Sequence, residues 1–352
     1  MNQLKSIFKF SLLLGLMFGA LWLAFSNMDL YPEDDSLSGT FSEKMDFIVK
    51  TAKTTNPFWM IVSGAIAMLS HFFRSERWRV QLEGIGYRGI SSSAAFLSVI
   101  NGYFVNMVIP RGGEISRPVM LQKLEKVPTD ISIGTVVAER VIDLLLLIVL
   151  IGVIFISQFT KFSQFIQDYL NHNADKNIES SPPYILYGIL IFIILSGLFF
   201  FFLYKYKQDF FTGFITKVKA FLGGLKVGLL SILKLEKKWL YALYSLAIWA
   251  CYFLMIYTIF KASDYTSGLG MMDALTIFVV GGIAMAIPMP GGAGSYHLLV
   301  AAAFFTLCGL PDATKNTAFT TVFHGWHTIV LIVVGGISLF ISQYKIKNAN
   351  KG

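Results

Sequence analysis

The chain has 352 residues, 55% of them hydrophobic and 14% charged, with a formal net charge of +8. Soluble domains carry about a quarter charged residues, so this composition excludes an ordinary soluble globular protein. The basic residues sit in short segments between apolar runs, not on one solvated face, which excludes a nucleic-acid-binding protein.

Several apolar runs approach the ~20 residues needed to span a bilayer. The pattern reads as an all-α polytopic membrane protein, one integral domain over residues 1–352. Lys5 and Lys9 precede an apolar run from Phe10 to Phe25. It has no small-residue cleavage site and is long for a signal core, so it reads as a retained first span. Six spans are expected, at 8–26, 57–73, 131–156, 183–204, 239–260 and 315–341. Two further apolar regions, 92–127 and 271–310, are broken near the middle by Pro and Gly.

Sidedness follows from the positive-inside rule. The N-terminal tail, the segment bearing Arg74, Arg77, Arg79 and Arg88, the loop 205–238 and the C-terminus hold seventeen Lys and Arg; segments 27–56, 157–182 and 261–270 hold six. Both termini are therefore expected on the cytoplasmic side of a bacterial inner membrane. Within 205–238, Phe210, Phe214, Val218, Phe221, Leu225, Leu229 and Ile232 recur at helical spacing among lysines. That is a cytoplasmic amphipathic linker, lying on the leaflet surface or docked on the bundle. Cys251 and Cys308 lie inside apolar segments and read as small buried hydrophobes, not as a disulfide.

The two broken regions are alike. One reads NGYFVNMVIPRGGEISRPVML and the other GGIAMAIPMPGGAGSYHLLVA, with Gly112 and Gly291 179 positions apart. A span precedes and follows each. With the sidedness above, 57–156 and 239–341 form an inverted repeat, a plan of secondary transporters whose site lies at mid-membrane broken helices. Pro110, Pro288 and Pro290 remove helix hydrogen bonds, and Gly112, Gly113, Gly291, Gly292 and Gly294 permit sharp reversal. The freed backbone groups must face protein, water or a polar ligand, and the helix restarting after the glycines aims its N–H groups at the turn, as an anion site does. Re-entrant hairpins and pairs of short crossings both satisfy the sidedness.

Charge is concentrated at the first break. Arg111, Glu114 and Arg117 follow it at three-residue spacing, and Glu139, Arg140 and Asp143 lie near the start of the next span. A charge at the bilayer centre costs roughly 2.5–3.5 kcal/mol on insertion scales, so these six should pair or line a wet cavity. A structural ion-pair network and a headgroup site are both consistent with this. A guanidinium pair fits a phosphate, which points to Arg111 and Arg117, with Glu114, Glu139 and Asp143 orienting them or carrying a proton. Asn101 and Asn106, on the helix entering the break, are expected to satisfy its exposed carbonyls. The second break has His297, with His324 and His327 sharing a face of the last span. They suit polar gating or headgroup contact better than zinc, and no metal or cofactor is expected.

With these residues in view, the chain resembles the lysylphosphatidylglycerol synthase transmembrane-region family of flippase-like membrane proteins. The resemblance rests on N-x-x-x-P-R-x-G-E-x-x-R at Asn106, Pro110, Arg111, Gly113, Glu114 and Arg117. It also rests on E-R-x-x-D at Glu139, Arg140 and Asp143, and on P-G-G-x-G at Pro290, Gly291, Gly292 and Gly294. In bifunctional bacterial synthases such a domain moves aminoacylated phosphatidylglycerol between leaflets. The resemblance here implies a stand-alone member without the soluble aminoacyl-transferase domain. His297 departs from the Glu that the family often has there.

The expected function is therefore flippase-like transport of an anionic, glycosylated or aminoacylated lipid. Two alternatives stand beside it. One is an intramembrane enzyme acting on a lipid headgroup, with the carboxylates and histidines as acids and bases. The other is an accessory subunit presenting lipid to a lipid-modifying or glycosyl-transferring enzyme. No nucleophile, metal-hydrolase or Walker-type motif is present in the sequence, so neither an enzyme nor ATP-driven transport is expected. The oligomeric state is left open.

Overall fold

A computed structural model of the chain describes residues 2–31, 39–159, 216 and 232–349. Among the described residues the regular structure is entirely helical. Its helices are α1 (Asn2–Ser26), α2 (Phe41–Thr54), α3 (Pro57–Gly84), α4 (Ser92–Asn106), α5 (Gly113–Glu125) and α6 (Thr129–Ser157), followed by α7 (Lys238–Phe260), α8 (Met271–Ala286), α9 (Ser295–Thr306) and α10 (Ala313–Ala349). A single 3₁₀ turn, Pro290–Gly292, separates α8 from α9. The expected span at 183–204 and most of the amphipathic linker lie outside the described residues. Its last stretch is described: Ile232 and Leu235 are buried against Val80 and Tyr241, so that end docks on the bundle.

Local chemistry sets the helix starts. Thr40 and Glu43 form a reciprocal capping box on α2. Asn56 caps α3, whose first residue is Pro57, and Ser91 caps α4 through the Ala94 N–H at 3.2 Å. Among the described residues three helices, α6, α7 and α10, are long and apolar enough to cross a membrane. A fourth span results if α2 and α3, bent by 89°, are counted as one. The stretch Ser11–Ser26 of α1 and helix α8 are apolar but shorter.

Among the described residues the helices after α2 fall into two sets of four, α3–α6 and α7–α10. Each helix of the second set starts within five residues of a 179-position offset from its counterpart in the first. Packing follows the same rule. α4 folds back on α5 and α8 on α9; α6 contacts α5 and α8, while α10 contacts α9 and α4; α3 and α7 pack along each other. Even the tight contacts correspond. A Cβ on Gly102 would touch Arg117 Cβ at 3.0 Å, and one on Gly281, 179 positions later, would touch Tyr296 at 3.0 Å.

The two hairpin turns reverse by different means. In the second, Gly291, Gly292 and Gly294 all take the left-handed backbone, with φ of 56°, 75° and 87°. In the first, the left-handed residue is Arg111, at φ 61°. Gly112 has φ −60°, so the expectation that Gly112 and Gly113 supply the reversal is corrected. They serve close approach instead: a Cβ on Gly113 would overlap the Gly102 carbonyl oxygen, and one on Gly112 would meet Ile109 at 2.9 Å.

Candidate functional site

Helix α3 carries the largest departure from the sequence reading. Arg74 and Arg77, expected in a loop beyond residue 73, lie on a helix that runs on to Gly84, and both are buried. They face α6. Asp143 accepts from Arg74 Nη1 at 2.9 Å and from Arg77 Nη1 at 2.8 Å. Arg74 also donates to the Tyr252 hydroxyl at 2.9 Å, and Arg77 to Ser245 Oγ at 3.2 Å. A carboxylate shared by two guanidinia leaves a local excess of positive charge.

The neighbouring pair is tighter. Arg117 Nη1 lies 2.8 Å from Glu139 Oε2, with 5% and 1% of the two side chains exposed. Arg77 Nε is 3.7 Å from the other carboxylate oxygen. The Arg117 guanidinium lies 3.7 Å from the centroid of the Trp78 ring, a cation–π contact in a desolvated setting. Trp78 is itself fixed by an Nε1–H donated to Thr135 Oγ1 at 2.8 Å. Arg117 is thus held from two sides and turned into the protein.

Arg140 and Glu114 form the loose member of the set. They are 3.6 Å apart and 41% and 39% exposed, and the buried Arg140 Nε makes no hydrogen bond. They line a narrow cleft, about 10 Å³ in volume, between α4, α5 and α6 together with Gly102, Tyr103, Asn106, Gly113 and Arg117. Asn106 accepts the Gly113 N–H at 2.7 Å through Oδ1, so it caps the start of α5 instead of satisfying carbonyls as expected. The Glu114 and Ile115 N–H groups bond to the Arg111 and Gly112 carbonyls. The first turn of α5 is therefore capped from within.

The structure brings Glu114, Arg117, Glu139, Arg140 and Asp143 together and sets Arg111 apart. The expected shared face of Arg111 and Arg117 does not form, because α5 begins only at Gly113 and Arg111 sits in the turn before it. Arg111 is exposed. Its Nη2–H donates to the Ala286 carbonyl at 3.4 Å. The residues missed in the sequence are Arg74, Arg77, Trp78, Tyr103 and Tyr252. A signal for the first two was present: Arg74 and Arg77 are spaced for one helix face, directly after an apolar run.

The histidines gather at the second turn. His297 Nδ1 accepts the Gly294 N–H at 3.3 Å, His324 Nε2 lies 3.1 Å from the Gly291 carbonyl, and their ring centroids are 5.0 Å apart. His327 bonds elsewhere, to Ser63 Oγ of α3 at 3.0 Å. No group of three metal-ligating side chains occurs among the described residues. A larger surface cleft at the α3–α7 junction has its charges already matched, Lys237 to Glu83 at 2.7 Å and Arg88 to Glu236 at 3.8 Å. The α4–α5–α6 cleft is the candidate site.

A family model described as "Lysylphosphatidylglycerol synthase TM region" matches residues 42–335. A UPF0104 membrane protein of Methanocaldococcus jannaschii is 35% identical over 102 residues, which is 28% of this chain and 30% of that protein. The chain thus aligns with less than a third of that relative's length. No solved structure matches the chain.

Proposed function

From the premise that this chain belongs to the lysylphosphatidylglycerol synthase transmembrane-region family of membrane proteins, we propose that it is a flippase-like transporter. Its cargo is an anionic, glycosylated or aminoacylated lipid, moved between the leaflets of a bacterial inner membrane. The observation that carries this reading is a charge imbalance. Glu114, Arg117 and Arg140 line the cleft, and the ion-pair network that runs inward from it joins four arginines, Arg74, Arg77, Arg117 and Arg140, to three carboxylates, Glu114, Glu139 and Asp143. Inside a bilayer an unmatched cation is costly, and a lipid phosphate supplies the missing charge in the geometry a guanidinium prefers.

Arg140 is the cation with capacity to spare, since among the described residues its ion-pair partner is Glu114, which is loose and partly exposed. Glu114 faces it and offers an acceptor for headgroup hydroxyls or amines. Arg117 is the wall residue of the cleft that Glu139 and Trp78 hold in place, with Asp143, Arg74 and Arg77 behind it. The matched offsets of α3–α6 and α7–α10, with α6 and α10 each bridging to the opposite hairpin, support an inverted repeat whose two hairpins are re-entrant or short paired crossings. Both termini are cytoplasmic in this arrangement, and a lipid-modifying or glycosyl-transferring enzyme is the natural supplier of the cargo.

The test is reconstitution into vesicles that carry a trace of reporter-labelled anionic phospholipid. Wild type is expected to expose inner-leaflet reporter to an impermeant quencher, and Arg140→Gln to fall to the protein-free rate while its melting temperature holds. Transport at the wild-type rate by Arg140→Gln sinks the headgroup assignment.

A further inference from the structure

The tips of the two hairpins touch, and one charged residue makes the polar part of that contact. Met107, in the first turn, lies under Gly291 in the second: a Cβ on Gly291 would meet Met107 Sδ at 3.2 Å and its Cα at 3.9 Å. Arg111, also in the first turn, donates to the Ala286 carbonyl at 3.4 Å. Ala286 is the last residue of α8, so its carbonyl belongs to the unsatisfied, partly negative end of that helix. Behind the second tip, His324 Nε2 lies 3.1 Å from the Gly291 carbonyl and fixes that turn to α10.

Arg111 is poorly matched where it stands. Among the described residues no carboxylate lies within the 4.0 Å of an ion pair. Among the described residues one of its five donors is used, on a neutral acceptor at a long distance. The side chain is exposed, and the backbone that presents it is in the left-handed region, at φ 61°, where a non-glycine residue carries strain of about 1 kcal/mol or more. Arg111 also ends up apart from Arg117 and is not consumed by the ion-pair network. A cation in this position exchanges a peptide carbonyl readily for a full anion, because charge-assisted hydrogen bonds are roughly twice as strong as those to neutral acceptors.

We infer that Arg111 is a ligand-exchange latch, with the Ala286 carbonyl occupying the place that a phosphate oxygen takes when an anionic ligand is present. Binding of a phosphate by Arg111 then competes with closure of the two tips, because the stronger anionic acceptor draws the guanidinium off the Ala286 carbonyl. Empty, the tips are held together across the seam between the two four-helix sets. Loaded, α8 loses its cap and the contact is reduced to Met107 against Gly291. This inference rests on the headgroup reading above and adds its regulation: the ligand unlocks the second hairpin by taking Arg111 away from it.

The experiment combines native mass spectrometry with hydrogen–deuterium exchange on the full chain in a nonionic, phosphate-free detergent. Three additions are compared: none, short-chain phosphatidylglycerol, and inorganic phosphate. Expected is a bound phosphatidylglycerol and, with it, at least about a fivefold rise in amide exchange over residues 283–294, the factor that loss of one modest contact gives. Arg111→Ala should show the raised exchange without ligand and no response to ligand. Arg111→Lys should respond weakly, having lost the fork but kept the charge. Inorganic phosphate producing the same rise assigns the trigger to the phosphate alone; no rise with it assigns it to the lipid, and the latch stands in both cases. Lipid that binds without changing exchange at 283–294, or an Arg111→Ala variant as protected as wild type, overturns the latch while leaving the headgroup reading intact. Absence of any bound lipid on wild type overturns both.

Discussion

Arg117 and Glu139 meet at 2.8 Å in a setting where neither side chain has more than 5% exposure. One residue comes from the limb that follows the first turn and the other from the next long helix, so the pair fastens the hairpin to α6. Buried pairs of this kind are weak evidence for net stability, because desolvation offsets much of the attraction, but losing one partner strands the other.

Removing one partner should therefore be severe. Arg117→Ala or Glu139→Gln is expected to cost about 3–5 kcal/mol, whereas Arg117→Met combined with Glu139→Leu should recover most of that loss. Melting of the purified variants in detergent checks this. Lipid transport by the paired apolar variant separates the roles: a stable protein that still transports makes the pair structural only.

The close approach of α4 and α5 depends on two glycines without side chains between them. Gly113→Ala places a Cβ against the Gly102 carbonyl and should destabilise by about 1–3 kcal/mol, as overpacking does. Gly134→Ala, at a helical site with nothing within 4 Å of the added carbon, should hold or raise the melting temperature. Equal effects of the two substitutions would show that the hairpin is not closely packed at that point.

Among the described residues the buried ion-pair cluster belongs to the first of the two four-helix sets. At the 179-position offset, Arg77 corresponds to Ile256, Arg117 to Tyr296, and Arg140 to Phe319, and all three counterparts belong to one apolar core cluster. One anionic headgroup per chain is the expected stoichiometry. Native mass spectra should show a single tightly held lipid, lost in Arg140→Gln; two equivalent lipids would contradict the asymmetry.

Tyr265, in the α7–α8 connection, gives a pH dependence outside the spans. Its hydroxyl donates to Asn316 Oδ1 at 2.8 Å, and burial, with the Asp312 carboxylate adding to it, pushes its pKa up to about 12. The unfolded chain releases this proton near pH 10 while the folded protein keeps it. The stability it contributes is therefore complete below that pH and falls as pH rises toward 12. Melting temperatures taken between about pH 9 and pH 11 should drop less for Tyr265→Phe than for wild type.

The sequence by itself determined the class of protein and the places where helices break. Pro and Gly act locally through missing donors and permitted dihedrals, and apolar runs report burial in any surroundings, so 92–127 and 271–310 were legible as broken helices. Only the tertiary structure decided how the charges pair. Arg74 and Arg77 look like the start of a loop because local hydropathy falls there, yet they continue α3 into the bundle. Asp143 and Glu139 on α6 compensate their burial, and no local pattern contains a partner 66 or 69 positions away. Arg111 and Arg117 look like one helical face only if the helix includes residue 111. Placing Arg111 in the turn, in the left-handed region, sends one guanidinium into the core and the other across to α8. Coulomb partners and backbone reversals are set by which segments meet in space, and that is information the chain acquires on folding.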